Sequence, residues 1–266
     1  MSKSTNLDVL PVQPIDVEQT KNIHENLPQI HRNKGFLLLL LGAVNSGKST
    51  VIANLLLNKH MYGGKESAFD GGVFCFSPSI ELDDTMRFVR DQFECYSEYK
   101  PEYLKMIKER QMEYPKKKMP KICLVMDDAV GFLPRSFFNF CTKYRHINSN
   151  LMISVQNFRS LLPTARSNAN HVIIMNGMVN EKEWEKILEE YDSIYRGTLT
   201  YMYKTFAKEP YSFLYLKLRK NPAEMYLNFG EKLEWKKYKK IAQQYKSIKD
   251  LESDGEGQIT NDDQDL

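Results

Sequence analysis

The sequence has few cysteines, and none are spaced as a metal or redox motif. Its 266 residues include four, Cys75, Cys95, Cys123 and Cys141, with no CxxC pair. Zinc ribbons and thioredoxin-like sites use closely spaced pairs, and disulfide-stabilised secreted domains use more cysteines in a shorter chain. These classes are therefore disfavoured, and the simpler interpretation is a protein of a reducing compartment.

Long apolar runs are also absent. The most apolar stretch, residues 35–44, is half the roughly 20 residues that cross a bilayer as a helix. The first residues, MSKSTNLDVLPVQP, contain no apolar segment of a secretory signal. We therefore expect a soluble intracellular protein without membrane insertion.

Basic residues are missing from the C-terminal end. Residues 250–266 hold seven carboxylates and no Lys or Arg, so residues 1–249 carry +10 while the whole chain carries +3. A basic body suits a polyanionic partner, although many unrelated soluble proteins share this composition. Prolines at 11, 14 and 28 lie among polar residues near the start. The pattern predicts a mobile N-terminal arm (1–33), one folded domain (34–249) and a disordered acidic tail (250–266).

Short apolar runs alternate with stretches of helical periodicity. Strands are predicted at 36–41, 72–76, 121–126, 151–155 and 171–175, and helices at 49–57, 82–93, 103–112, 134–144, 158–168 and 181–191. Alternation of this kind is typical of an α/β fold with a mainly parallel sheet covered by helices on both faces. A late pair of strands, 211–219 and 225–229, and a helix at 232–249 are predicted to follow.

Residues 42–49, GAVNSGKS, fit the phosphate-binding pattern GxxxxGK[ST], the P-loop. Its glycines let backbone N–H groups turn towards phosphate oxygens, and the following helix adds its positive end. Lys48 would contact the β- and γ-phosphates, and the Ser49 hydroxyl would bind Mg²⁺. The motif lies between a predicted strand and a predicted helix, as the pattern requires. The predicted nucleotide-binding residues are Gly42, Asn45, Ser46, Gly47, Lys48, Ser49 and Thr50.

A second motif, ICLVMDD at residues 122–128, is an apolar strand ending in two carboxylates, as a Walker B motif does. We expect Asp127 to bind Mg²⁺ and Asp128 to polarise the attacking water. GTPases and small-molecule kinases usually lack the second acid, and no NKxD guanine motif is present. The pattern therefore favours ATP hydrolysis with ATP and Mg²⁺ as ligands.

Three further residues are candidates for catalysis. Gln156 follows the strand LMISV and would contact the γ-phosphate or the attacking water, or else simply cap a sheet edge. Arg145 and Arg166 would stabilise charge at the γ-phosphate of a neighbouring subunit. The alternative for both is an ordinary surface arginine.

The order of motifs GAVNSGKST, ICLVMDD, YRHINSNLMISVQ and LLPTARSNANHVIIM resembles the poxvirus-type DNA-packaging ATPases of large DNA viruses. These belong to the FtsK–HerA superfamily and have relatives in virophages and Polinton-like elements. The late segment YSFLYLKLR is similar to their C-terminal strands, and the resemblance covers about residues 33–232.

The resemblance implies an additional-strand (ASCE, RecA-like) P-loop fold, in which another strand separates the P-loop strand from the Walker B strand. It implies a homo-oligomeric ring, usually hexameric, that moves double-stranded DNA without sequence specificity, in a virion or viral factory. The resemblance implies the same roles at the matching positions: phosphate and Mg²⁺ binding at Lys48, Ser49 and Asp127, and water activation at Asp128. It also implies that Gln156 acts as a sensor of the bound nucleotide. Arg145 is the first choice for a finger acting in trans, and Arg166 the second. The superfamily commonly has Glu where this chain has Asp128, whose side chain is one methylene shorter and could slow hydrolysis.

The sequence also offers candidate partners beyond the nucleotide. Basic stretches around residues 99–121 and 236–240 could line a pore and bind DNA phosphates, or form solvated helix faces. A capsid or portal-vertex protein is a candidate partner, including for the acidic tail. Two alternative functions remain, an ATP-binding adaptor or scaffold with little turnover and a helicase-like replication ATPase.

Overall fold

A computed structural model of the protein describes residues 24–30, 34–63, 67–128, 130–178 and 180–243. Within these residues nine strands, β1 to β9 in chain order, span Leu37–Leu41, Val73–Phe76, Glu94–Tyr96, Ile122–Met126, Ser149–Val155, His171–Met175, Phe213–Lys217, Glu224–Leu227 and Glu231–Lys232. The predicted acidic tail (250–266) and most of the predicted arm lie outside the described residues.

All nine strands form one sheet in the order β3-β2-β4-β5-β1-β6-β7-β8-β9. The six strands from β3 to β6 in this order are parallel, and β7, β8 and β9 continue the sheet antiparallel. Strand β5 lies between β1 and β4, so the expected additional strand separates the P-loop strand from the Walker B strand. The predicted α/β class with a mainly parallel sheet is confirmed. The late β pair extends the main sheet and is not a separate unit.

Eight α-helices, α1 to α8, lie within the described residues. They span Lys48–Leu57, Arg87–Arg90, Pro101–Met112, Arg135–Phe140, Pro163–Asn168, Glu181–Tyr191, Leu199–Phe206 and Lys239–Ala242. Short 3₁₀ helices occur at Asp84–Met86, Val130–Phe132, Tyr144–Ile147, Phe158–Ser160, Asp192–Tyr195 and Trp235–Tyr238. None of the described helices is long and apolar enough to cross a membrane.

The core lies on both faces of the sheet. Along β1 the odd-numbered residues, Leu37 among them, pack with the cluster that contains Trp184 of α6 and Met202 of α7. The even-numbered residues, such as Leu38, pack with Ile52 and its neighbours on α1. Every residue of β1 is fully buried, which explains why this strand is a continuous apolar run without alternation.

Several helices differ from their predicted lengths. The helix predicted at 82–93 is a 3₁₀ turn followed by the four-residue α2, and the one predicted at 158–168 is the 3₁₀ turn Phe158–Ser160 followed by α5. The helix predicted from residue 232 is wrong at its start, because Lys232 pairs with Tyr226 in the sheet. Residues 244–249 of that helix lie outside the described residues.

The described part of the predicted arm packs on the folded domain. Leu27 is buried in the core, Asn26 Nδ2 donates to the Phe229 carbonyl at 2.7 Å, and Tyr62 Oη donates to the Pro28 carbonyl at 2.6 Å. An apolar side chain and two hydrogen bonds therefore hold residues 24–30 of the predicted arm to the folded domain.

Stability is expected to fall as the pH drops below about 6.5, in part because of His171. This ring stacks on Tyr215, and its Nδ1 lies 2.7 Å from Tyr215 Oη. Burial lowers the pKa of His171 to about 3, with Lys217 and Lys220 adding to the shift. The unfolded chain therefore takes up a proton that the folded chain does not, at up to about 1.4 kcal/mol of stability per pH unit.

Urea unfolding between pH 7 and pH 5 tests this expectation. The unfolding free energy of His171→Gln should fall less over this interval than that of the unmodified protein. Equal slopes for the two proteins would contradict the assignment.

Candidate nucleotide-binding site

The loop between β1 and α1 has the backbone conformation of an anion-binding loop. Asn45 and Gly47 have left-handed φ angles of 58° and 93°, which turn consecutive N–H groups to one side. Gly42 packs so closely that a Cβ there would lie 2.4 Å from Ser46 Oγ. The loop leads directly into α1, which begins at Lys48. Loop amides and the positive helix end therefore converge on one place.

The Lys48 side chain lies folded across this loop. Its Nζ donates to the carbonyl oxygens of Gly42 at 3.1 Å and Ala43 at 2.8 Å, and the side chain is buried. Burial lowers the pKa of Lys48, while the carboxylates of Asp128 and Asp127 oppose that shift. A triphosphate in the loop would offer this ammonium group charged acceptors in place of the carbonyls.

Asp127, directly after β4, joins three other elements. Its Oδ1 accepts a hydrogen bond from Ser154 Oγ of β5 at 2.6 Å. Its Oδ2 accepts from Ser49 Oγ of α1 at 3.3 Å and from Ser77 Oγ, after β2, at 3.4 Å. Burial raises the pKa of Asp127, and the hydrogen bonds from Ser154 and Ser49 oppose the rise. Three hydroxyl groups therefore hold one buried carboxylate beside the first turn of α1.

Asp128 occupies a left-handed position, with φ at 48°. Its backbone N–H donates to Ser154 Oγ at 3.0 Å, and its Oδ2 accepts from Gln156 Nε2 at 2.8 Å. Its Oδ1 is buried and has no hydrogen-bond partner among the described residues. The structure thus brings Gln156 to Asp128 and leaves one carboxylate oxygen with free acceptor capacity.

Two residues of this constellation, Ser154 and Ser77, are not predicted from the sequence. The Ser154 hydroxyl donates to Asp127 and accepts from the Asp128 N–H, so it positions both acids. The signal that could have identified it is a serine inside the apolar run LMISV. Ser77 directly follows β2, whose carboxyl end lies at the same edge of the sheet.

The donor set fits Mg²⁺ bound together with a triphosphate. Mg²⁺ prefers oxygen ligands and keeps several waters, and Ser49 and Asp127 offer a hydroxyl and a carboxylate 3.3 Å apart. Ser46 Oγ is buried without a hydrogen-bond partner in the described part of the chain, and Thr50 lies in the first turn of α1. No group of three or more His, Cys, Asp or Glu that could hold a metal occurs among the described residues. Phosphate oxygens and water would complete the coordination of an ion held by Ser49 and Asp127.

Among the described residues no hydrogen bond or ion pair joins either candidate arginine to the loop. Arg145, in the 3₁₀ helix Tyr144–Ile147, is exposed at the amino end of β5, about 20 Å along the strand from its carboxyl end. Arg166 is buried, with Nε 3.3 Å from Glu190 Oε2 and its guanidinium over the Phe158 ring. A role for either in a neighbouring subunit stays a prediction, and Arg166 would have to leave its ion pair.

The predicted basic stretch at 99–121 is partly neutralised. Lys105 pairs with Glu109 and Arg110 with Glu94 on the surface of α3. Lys116, in contrast, lines an open cavity of about 390 Å³. The other residues that line this cavity are Thr142, Arg145 and His146. None of these four described residues is acidic, so the cavity is a basic patch at the edge of the sheet opposite the loop.

Comparison with solved structures finds the same fold in the genome packaging NTPase B204 from Sulfolobus turreted icosahedral virus 2. Its complex with AMP matches with a TM-score of 0.52 and 15% identity over 73% of this chain and 96% of that chain. Its complex with sulfate gives a TM-score of 0.52 and 14% identity over 73% and 95%. EssC (ATPases 2 and 3) from Geobacillus thermodenitrificans matches with a TM-score of 0.40 and 11% identity over 75% of this chain and 39% of that chain.

No protein-family model matches the sequence, and no curated protein matches it. At these identities the likeness to the packaging NTPase shows a shared fold. The resemblance to viral packaging ATPases that the motifs indicate is therefore confirmed at the level of fold.

Ser154→Ala should weaken Mg²⁺-dependent nucleotide binding, because it removes the donor to Asp127 and the acceptor of the Asp128 N–H. We expect about tenfold weaker binding of ATP in Mg²⁺, by analogy with the loss of groups that orient metal ligands. Calorimetric titration measures this affinity. Ser149→Ala is the matched control, since Ser149 is a buried serine of the same strand whose hydroxyl, within the described part of the chain, bonds the Asn150 carbonyl alone. Equal affinities for the two variants would contradict the positioning role of Ser154.

Proposed function

We propose that this protein is an ATP-driven motor that translocates viral double-stranded DNA into a capsid, hydrolysing ATP to ADP and phosphate. One observation carries the proposal: Ser49 Oγ, in the first turn of α1, lies 3.3 Å from Asp127 Oδ2. The anion-binding loop and the paired acids are therefore within reach of a single triphosphate. The fold shared with a genome packaging NTPase supports the packaging role.

The side chains around the loop divide the chemistry between them. The loop amides and Lys48 would bind the phosphates and stabilise the charge that develops on them. Asp128, whose Oδ1 has no donor among the described residues, would accept a hydrogen bond and then the proton of the attacking water. Gln156, bonded to the other oxygen, would orient Asp128 and respond to the γ-phosphate.

Ser49 and Asp127 would hold Mg²⁺, which when bound stabilises negative charge on the phosphoryl oxygens. The three hydroxyl donors to Asp127 fix its carboxylate before any ligand arrives. This preorganisation is what an electrostatic catalyst requires, since no reorganisation is then needed during the reaction.

We further propose a homo-oligomeric ring, with a hexamer favoured, that surrounds the DNA. Lys116 and His146, which line the basic cavity, would contact DNA phosphates without reading sequence. Arg145, which is exposed, is the more accessible trans-acting finger. A capsid or portal-vertex partner and a location in the virion or viral factory belong to the same proposal.

The contact between Gln156 and Asp128 favours a second candidate function. In the described structure the amide occupies one oxygen of the acid that would activate water, and the acid is the shorter Asp rather than Glu. An ATP-binding adaptor or scaffold needs a phosphate-binding loop but not an acid free to activate water, so this arrangement is compatible with little turnover.

ATP hydrolysis measured with and without duplex DNA, together with particle mass in the same sample, tests the proposal. We expect DNA to raise the rate and the mass to be that of a ring. Lys48→Ala should lower the rate about a hundredfold or more, because it removes a positive charge from the phosphates, while Lys186→Ala on the surface of α6 should not.

A monomeric protein whose rate is indifferent to DNA would contradict the packaging role. Tight ATP binding with negligible turnover, with or without DNA, would favour the adaptor.

A further inference from the structure

The two sides of β1 differ in chemistry at the carboxyl edge of the sheet. On one side, β5 and β4 present Gln156, Asp127 and Asp128. On the other side are β6 and the start of β7, where an aromatic side chain, Tyr211, lies against the loop. A Cβ placed on Gly47 would come within 3.2 Å of Tyr211 Cδ1. The Tyr211 residue is nevertheless 62% exposed.

Tyr211 has a backbone conformation that is unusual for a bulky residue, with φ at 64°. Non-glycine residues in this region are strained, and such residues cluster at ligand clamps and active sites. Local hydrogen bonds maintain the conformation. Ser212 N–H and Oγ both donate to the Glu209 carbonyl, at 3.0 Å and 2.6 Å.

The turn that carries Tyr211 is fixed to the end of β6. Asn176 Nδ2 donates to the carbonyl oxygens of Lys208 at 2.8 Å and Glu209 at 2.9 Å. The Asn176 N–H donates to the Ser212 carbonyl at 2.8 Å. These hydrogen bonds therefore fix the backbone of the turn from which the Tyr211 ring reaches Gly47.

We propose that Tyr211 is the platform on which the base of the bound nucleotide stacks. The inference rests on the proposed nucleotide-binding function of residues 42–49. The terminal phosphate must lie on the side of Asp127 and Asp128, so the ribose and base leave the loop towards the side of β6 and β7. An exposed aromatic face beside Gly47 meets the base there, and stacking suits it because every base has a π-face.

Stacking gives affinity for the base and none for the phosphates, and this difference defines the test. Affinities for ATP and for inorganic tripolyphosphate, both with Mg²⁺, are measured by calorimetry. Tyr211→Gly removes the ring with a residue that accepts the left-handed φ. It should weaken ATP binding about tenfold and leave tripolyphosphate binding unchanged.

Two further variants complete the experiment. Tyr211→Phe keeps the aromatic face and should bind ATP like the unmodified protein. Tyr114→Ala, which removes an exposed tyrosine after α3, should have no effect on either ligand.

Three results would overturn the inference. Unchanged ATP affinity in Tyr211→Gly would mean that the ring does not contact the base, and an equal loss for both ligands would mean that Tyr211 shapes the phosphate-binding loop and gives no affinity for the base. If the unmodified protein binds neither ligand, the proposed function fails and the inference fails with it. The first two results leave the proposed function standing.

Discussion

The arrangement of the candidate site depends on the buried carboxylate of Asp127. An ionised group removed from water is costly unless hydrogen bonds compensate it, and here hydroxyls of Ser49, Ser77 and Ser154 do so. These serines come from α1, the end of β2 and β5. One charge therefore holds the anion-binding loop, the acidic strand end and the neighbouring strands in a single geometry.

The order of strands places different side chains on the two sides of β1. Because β5 separates β1 from β4, the carboxyl end of β5 brings Gln156 to Asp128. In the proposed reaction the terminal phosphate and the attacking water would meet Asp128 there. Strands β6 and β7, on the opposite side of β1, bring Tyr211 to the loop. Strand β5 also runs from the basic cavity at Arg145 to Gln156. In the proposed motor, it connects the surface that would contact DNA to the site of hydrolysis.

The sequence predicts well those strands and helices whose pattern of apolar residues matches their burial in the fold. The run of leucines in β1 is buried on both faces, and the predicted helix at 181–191 is α6, where the Asn180 side chain accepts from Lys182 N–H and Glu183 N–H. Strand β3 is three residues long with an exposed Glu94, too short for a periodic signal. Helix α7, TYMYKTF after Leu199, is rich in aromatic and β-branched residues that favour strands, and tertiary packing decides its structure.

In the candidate site, too, some residues can be predicted from a local sequence pattern and others only from the fold. The loop and the two acids can be recognised because spacing along the chain determines their chemistry. The order of strands in the sheet places three further residues at the site, although they lie far apart in sequence: Ser77, Ser154 and Tyr211. The placement of Arg166 in an ion pair with Glu190 of α6 likewise follows from packing and not from any motif.

ATP affinity in the presence and absence of Mg²⁺, compared between the unmodified protein and Asp127→Asn, tests the central claim most directly. If the buried carboxylate and the loop share one Mg²⁺-bound triphosphate, Mg²⁺ will strengthen binding to the unmodified protein, and Asp127→Asn will lose that gain while keeping its Mg²⁺-free affinity. A variant that retains the full effect of Mg²⁺ would contradict the account.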